Sequence, residues 1–151
     1  MAKKRRSSGA ITNRRARFDY QIDDSLVVGI ALTGAETKSL RRGHGNLQGA
    51  YVTLKGDELW LINATITGDK SIPISESDQT RARKLLAKRR EINQLIEQKQ
   101  QGKTIVPLEL LTKGRYVKLR IAAARGKKKY DKRETIKKRT QDREAERAMR
   151  R

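Results

Sequence analysis

From Arg125 the chain runs RGKKKYDKRETIKKRTQDREAERAMRR to residue 151, and this stretch limits the fold more than any other. It holds thirteen Lys/Arg and five acids. Its few apolar residues (Tyr130, Ile136, Ala145, Ala148 and Met149) make no stripe wide enough to bury against a neighbour. Any core must therefore be built upstream. The first 17 residues carry seven Lys/Arg and no acid, so the two ends account for +15 of the formal net charge of +20. Hydrophobic residues make up 35% of the chain, below the roughly 45–50% usual in globular domains. A length of 151 residues then suits one modest domain between two cationic ends.

A charge of +20 exceeds what solubility needs and points to a polyanionic partner. The absence of cysteine excludes disulfides and Cys-ligated metals and fits a reducing compartment. No apolar run approaches a membrane span, and no apolar stretch follows the cationic N-terminus to make a secretory signal. The expectation is a cytoplasmic protein.

Between the ends the pattern changes from segment to segment. LVVGIALTG reads as a strand stopped at Thr33-Gly34, and AETKSLRRG as a short helix ending at Gly43. GHGNLQG is a glycine-punctuated loop. Tyr51–Leu54 and Leu59–Ile62 flank Lys55-Gly56-Asp57-Glu58 as a β-hairpin. A loop follows, with Ser77 or Asp78 as N-cap for a helix over 81–101, in which Ala82, Leu85, Leu86, Ile92, Leu95 and Ile96 share one side. Residues 104–111 and 115–123 form a second hairpin about Lys113-Gly114, its return strand alternating Val117, Leu119, Ile121 and Ala123 with Tyr116, Lys118 and Arg120. Strands joined by short turns, with two or three helices, predict a small antiparallel OB-like β-barrel. In the tail, Glu134/Lys138 and Glu146/Arg150 are four apart, so it is a marginal helix that a polyanion could order.

The residues offer little for catalysis or metal binding. His44 is the one histidine and reads as a surface loop residue, and no metal site is expected. GKT at 102–104 lacks the glycine that a phosphate loop needs five residues before Gly102, where Glu97 stands. Asp19 and Glu36 read as surface or capping carboxylates rather than a catalytic pair. Arginines near Asn13 and at Arg81 adjoin apolar structure and suit RNA phosphates and bases. Aromatic residues are only 4% of the chain, which favours structured RNA read by shape over a stacking platform.

Four motifs, NRRARFDY, LTGAETKSLRRGHGNLQGAYV, RARKLLAKRREI and ARGKKKYDKRETIKKR, stand in this order, and together they resemble the small protein B (SmpB) family. The resemblance runs from about Asn13 onward, with Gly126–Arg133 and Glu36–Arg41 its most specific strings. It implies an OB-like barrel over 13–124 that binds the tRNA-like domain of transfer-messenger RNA, between a disordered basic arm over 1–12 and a basic tail over 125–151. It also implies work in trans-translation, the rescue of ribosomes stalled on messages lacking a stop codon. The tail, disordered when free, would become helical in the empty message channel.

Carried across, the pattern expects Asn13, Arg14, Arg15, Arg17, Glu36, Lys38, Arg41, Asn46, Arg81, Arg83, Lys84 and Leu86 at the RNA. It expects Gly126, Lys127, Lys128, Tyr130, Asp131, Lys132, Arg133, Ile136, Lys137 and Arg139 near the decoding centre of the small ribosomal subunit. No cofactor, membrane or catalytic residue is implied, and a monomer bound to RNA is expected. The chain departs from the family at Asp78-Gln79-Thr80, where Asp-Pro is common, and at Ala122, where glycine is usual. The residues alone leave open a general rRNA-binding ribosomal or assembly protein. An RNA-processing enzyme would need a general base or metal that the sequence does not offer, and a membrane-surface helix an apolar face that the tail lacks.

Overall fold

The computed structural model describes residues 10–127 and 129–149, with the side chains of all but 23 and 129–132. In chain order the elements are β1 (Ala10–Thr12), α1 (Arg14–Asp19), β2 (Tyr20–Ile30), α2 (Gly34–Arg41), β3 (Gly45–Asn46), β4 (Tyr51–Lys55) and β5 (Glu58–Ile62). Then come β6 (Thr65–Ile66), α3 (Glu76–Gln79), β7 (Arg83–Leu86), α4 (Arg89–Gln100), β8 (Thr104–Leu111), β9 (Lys118–Gly126) and α5 (Lys129–Met149). Six antiparallel strands follow one another as β8-β4-β5-β7-β2-β9, and β9 closes the ring onto β8. This is the OB-like barrel expected from the sequence.

Both predicted hairpins form, although the return strand of the second, expected over 115–123, runs instead from Lys118 to Gly126 and leaves Tyr116 and Val117 in the turn. In the first, Lys55 pairs Glu58, so Gly56 and Asp57 make a two-residue turn. Gly56 takes φ +64, which glycine adopts without a Cβ penalty. The barrel interior is filled by Val28, Val52, Leu59, Leu61, Leu85, Ile105, Leu110, Leu119 and Ile121, with Leu40 of α2 and Ile92 and Leu95 of α4 packed onto it. Ala16 of α1 packs in a second cluster with Val106, Leu108, Ala122 and Ala124. The alanines of β9 are small enough for the helix backbone to lie close to the sheet. That is why Ile121 through Ala124 are buried on both faces, where simple alternation predicts one.

Several expectations need correction. Residues 83–86 form a strand rather than the start of a long helix. Arg83 and Leu85 point inward while Lys84 and Leu86 are more exposed, a period of two. β7 pairs β5 through Leu59↔Leu85 and β2 through Ile30↔Leu85. Arg, Lys and Leu are good helix formers, but pairing on both edges outweighs a preference of a few tenths of a kcal/mol per residue. The helix begins at Arg89, where the Glu91 carboxylate accepts from the Lys88 N–H. Ser77 and Asp78, expected as its N-cap, lie in α3 instead.

The helix α1 falls in a stretch read only as an arginine cluster. Ala10–Thr12, expected in a disordered arm, pair with β8 through Ile11↔Leu110, while residues 1–9 of that arm lie outside the described residues. The tail, expected to become helical on the ribosome, runs as a 21-residue helix over Lys129–Met149. Just before it the Lys127 N–H donates to the Asp19 carbonyl at 2.8 Å, and midway along it Arg139 lies 5.9 Å from the Phe18 ring centroid.

Candidate nucleic-acid interface

Three of the expected RNA contacts are buried. Thr33 caps α2 by accepting from the Glu36 N–H, and Glu36 Oε1 returns the bond from the Thr33 N–H at 2.9 Å, a reciprocal capping box. Oε1 also accepts from Arg81 Nη2, and Oε2 accepts from Arg83 Nε at 2.6 Å. Arg83 is fully buried. Its Nη1 donates to the carbonyls of Ala64 and Arg81, and its Nη2 to those of Asp78 and Gln79, at 2.9–3.1 Å. All five guanidinium N–H groups are thereby used.

Burial raises the Glu36 carboxyl, but hydrogen bonds from Arg81, the Thr33 N–H and Arg83 outweigh it and hold the group below its ordinary range. Burial likewise draws the Arg83 guanidinium down, opposed by Glu36. Asn13 is the third: its Oδ1 accepts from the Ala16 N–H as the cap of α1, and its Nδ2 donates to the Pro107 carbonyl at 2.9 Å. Asn13, Glu36 and Arg83 thus build the scaffold, because a buried polar group must spend its hydrogen bonds inside the protein. At 2% exposure Glu36 presents almost no accessible acceptor at the surface.

Five of the exposed candidates, Arg14, Arg15, Asn46, Lys84 and Leu86, line grooves near two short seams of the barrel. β4 and β8 pair only at Val52↔Ile105, and β2 and β7 only at Gly29↔Leu86 and Ile30↔Leu85. In a six-stranded ring these seams are three strands apart, on opposite sides. Beside the first lie Arg14 and Arg15 of α1, with Asn46 and Gln48 lining a groove of about 330 Å³. A second groove there, about 630 Å³, runs past Arg15, Tyr20 and the exposed Tyr51. Arg17 is also exposed on α1, although Arg15 is tied to Asp19 at 3.1 Å.

The other seam opens into a groove of about 580 Å³ lined by Val27, Lys84, Leu86, Lys88 and Lys118, with Glu58 and Glu91 among its rim acids. Leu86, expected at the RNA, is 57% exposed here. Lys84 donates to Glu58 at 3.0 Å. In the sequence Lys118 is only part of a cationic strand face, and Val27 only part of an apolar run. Neither carries a local signal for the seam it borders. Arg81 is one-third exposed, held by Glu36, and Lys38 is exposed on α2. Arg41 is turned to another task, donating to the carbonyls of Gly114 and Arg115.

The loop after Ile66, given no role from sequence, is stitched by Asp69. Its carboxylate accepts from the Ser71 hydroxyl, the Ser71 and Ile72 N–H groups and Arg42, which together hold it at about 2. His44 lies at its edge, 3.8 Å from Asp69. Among the described residues no group of three or more His, Cys, Asp or Glu is placed to hold a metal, and no helix is long and apolar enough to cross a membrane.

In the tail, Gly126 ends β9 opposite Tyr20, and Lys127 Nζ reaches the Thr135 hydroxyl at 3.4 Å. Arg133, Lys137 and Arg139 are exposed, and Ile136 is half-exposed. Lys128 lies outside the described residues, as do the side chains of Tyr130, Asp131 and Lys132.

A family model described as SmpB protein matches residues 10–151. An SsrA-binding protein of Gloeothece citriformis is 47% identical over 141 residues, covering 92% of this chain and 91% of its own. One from Gloeobacter violaceus is 46% identical over 144 residues, covering 93% of each. A solved structure described as "tmRNA-SmpB: a journey to the center of the bacterial ribosome" superposes with a TM-score of 0.67 at 35% identity, covering 85% of this chain and 95% of its own. The match spans the barrel, both seams and the cationic helix, and the chain belongs to the SmpB family.

Proposed function

We propose that this chain binds the tRNA-like domain of transfer-messenger RNA with its barrel and delivers it to ribosomes stalled on messages without a stop codon. The observation that carries this reading is the match to the SmpB family over residues 10–151, and the division of the molecule supports it. A barrel whose buried charges are internally satisfied offers cations around surface grooves, and a 21-residue helix beyond it exposes charge along most of its length. The barrel suits a structured RNA read by phosphate and shape. The helix suits a channel walled by rRNA, where Arg133, Lys137 and Arg139 meet phosphate on several sides. A message in the channel would exclude it, so the tail senses vacancy. Asn13, Glu36 and Arg83 contribute by holding Arg14, Arg81 and Lys84 in place. The protein acts in the cytoplasm as a monomer on its RNA, as a binding module without catalytic residues.

The test is co-purification of RNA from a native extract, followed by sequencing. Transfer-messenger RNA as the dominant species is expected. A broad rRNA spectrum without it would replace this reading with that of a general rRNA-binding protein.

A further inference from the structure

The turn between β8 and β9 carries the most exposed aromatic side chain among the described residues. Tyr116 is 68% exposed, against 43% for Tyr51, while Phe18, Tyr20 and Trp60 are partly buried. A chain with only four Tyr, one Phe and one Trp has few rings to spare for solvent. The turn is also held in place. Arg41 reaches across from α2 and donates to the carbonyls of Gly114 at 3.1 Å and Arg115 at 2.9 Å. Gly114 takes φ +99, which lets the chain reverse, and Val117 is buried immediately after the tyrosine. Tyr116 is thus a projecting ring on a fixed base.

Its surroundings select the occupant. Arg115 Cζ lies 5.6 Å from the Tyr116 ring centroid, a cation–π contact that pre-orients the ring. Residues 112–120 include Lys113, Arg115, Lys118 and Arg120 and no acid. Lys118, two residues after the ring, also lines the groove at the β2–β7 seam, so the turn leads directly into a candidate RNA surface. An apolar protein partner would have to desolvate these cations, whereas a nucleotide brings a π-face for the ring and a phosphate for the cations.

We infer that Tyr116, backed by Arg115 and fixed by Arg41, is a stacking site for one unpaired nucleobase. This rests on the RNA-binding reading above and adds to it: the barrel reads shape and phosphate, and one ring captures a base that is out of its helix. The unpaired base can belong to transfer-messenger RNA or to ribosomal RNA.

The experiment measures binding of full-length wild type, Tyr116→Ala, Tyr116→Leu and Tyr116→Phe, in one arm to transcribed transfer-messenger RNA and in the other to purified ribosomes. Loss of one base stack weakens affinity roughly 5- to 150-fold. That loss is expected for Ala and Leu in the arm that supplies the base, with the salt dependence unchanged because every phosphate stays neutralised. Phe restores the affinity, since it keeps the ring. Melting temperatures stay equal, because the side chain is exposed. Wild-type affinity of Tyr116→Ala in both arms overturns the inference, as does failure of Phe to restore what Leu loses. If wild type itself does not bind transfer-messenger RNA, the proposed function fails instead, and the ribosome arm alone decides the stacking site.

Discussion

Glu36→Ala is the substitution on which the sequence and the structure disagree most sharply. The sequence resemblance places Glu36 at the RNA. The structure places it inside, 2% exposed, accepting from Thr33, Arg81 and Arg83. Removing it leaves the fully buried Arg83 without its counter-ion, although four carbonyls still receive its Nη groups. Breaking a buried pair from one side costs about 3–5 kcal/mol. At about 2–4 °C per kcal/mol for a chain of this size, the melting temperature should fall by roughly 6–20 °C. Glu36→Gln keeps an acceptor for the Thr33 N–H and one arginine but loses the charge, and should cost about 1.5–3 kcal/mol.

The acid limb gives an independent reading. The folded Glu36 carboxyl titrates below its ordinary value. Its contribution is therefore fully present above the unfolded pKa, about 4.3, and is lost as pH falls through the lower folded value. In Glu36→Gln that part of the acid destabilisation is absent, so its stability falls less steeply below pH 4. Urea unfolding followed by circular dichroism at pH 7 and across pH 3–5 measures both effects. A Glu36→Ala protein as stable as wild type, within about 0.5 kcal/mol, yet unable to bind transfer-messenger RNA, would refute the argument and return Glu36 to the RNA surface.

Arg14→Ala with Arg17→Ala should weaken RNA binding and lower the salt slope by roughly 0.7–0.9 for each phosphate left without its cation; an unchanged slope in titrations at several salt concentrations would remove α1 from the interface. Asn13→Ala deletes the cap of α1 and its bond to Pro107, so unfolding experiments should show a loss of about 1–2 kcal/mol. A Cβ at Gly68 would stand 2.3 Å from the Ile72 carbonyl oxygen, a backbone clash no rotamer relieves, so Gly68→Ala should destabilise by about 1–3 kcal/mol in a thermal melt. Truncation before Asp131 should leave binding to transfer-messenger RNA within about twofold, by the approximate independence of distant sites, while abolishing peptide tagging on stalled ribosomes. Thr140→Pro should impair tagging more than Thr140→Ala, because proline inside α5 costs about 3 kcal/mol of helix stability; equal tagging would mean that the helix does not matter there.

Local chemistry determined much of this protein. The two hairpins were legible because turn residues and alternating apolar residues sit close together along the chain, and their pairing needs no distant partner. The helix α2 was legible for the same reason, from helix formers stopped by Gly43. The separation of barrel from tail followed from where apolar residues cease, since a segment without them cannot join a core. Tertiary structure decided the rest. Residues 83–86 have the composition of a helix, and only the edges offered by β5 and β2 make them a strand. The sequence shows Glu36 and Arg83 as charges 47 positions apart, and only closure of the barrel brings them to 2.6 Å, in the interior. Tyr116 reads as one polar-face residue of a strand until Arg41, 75 positions earlier, is seen fixing the turn beneath it. A long-range ion pair leaves no periodicity in the chain, because its spacing is set by topology rather than by the repeat of a helix or a strand.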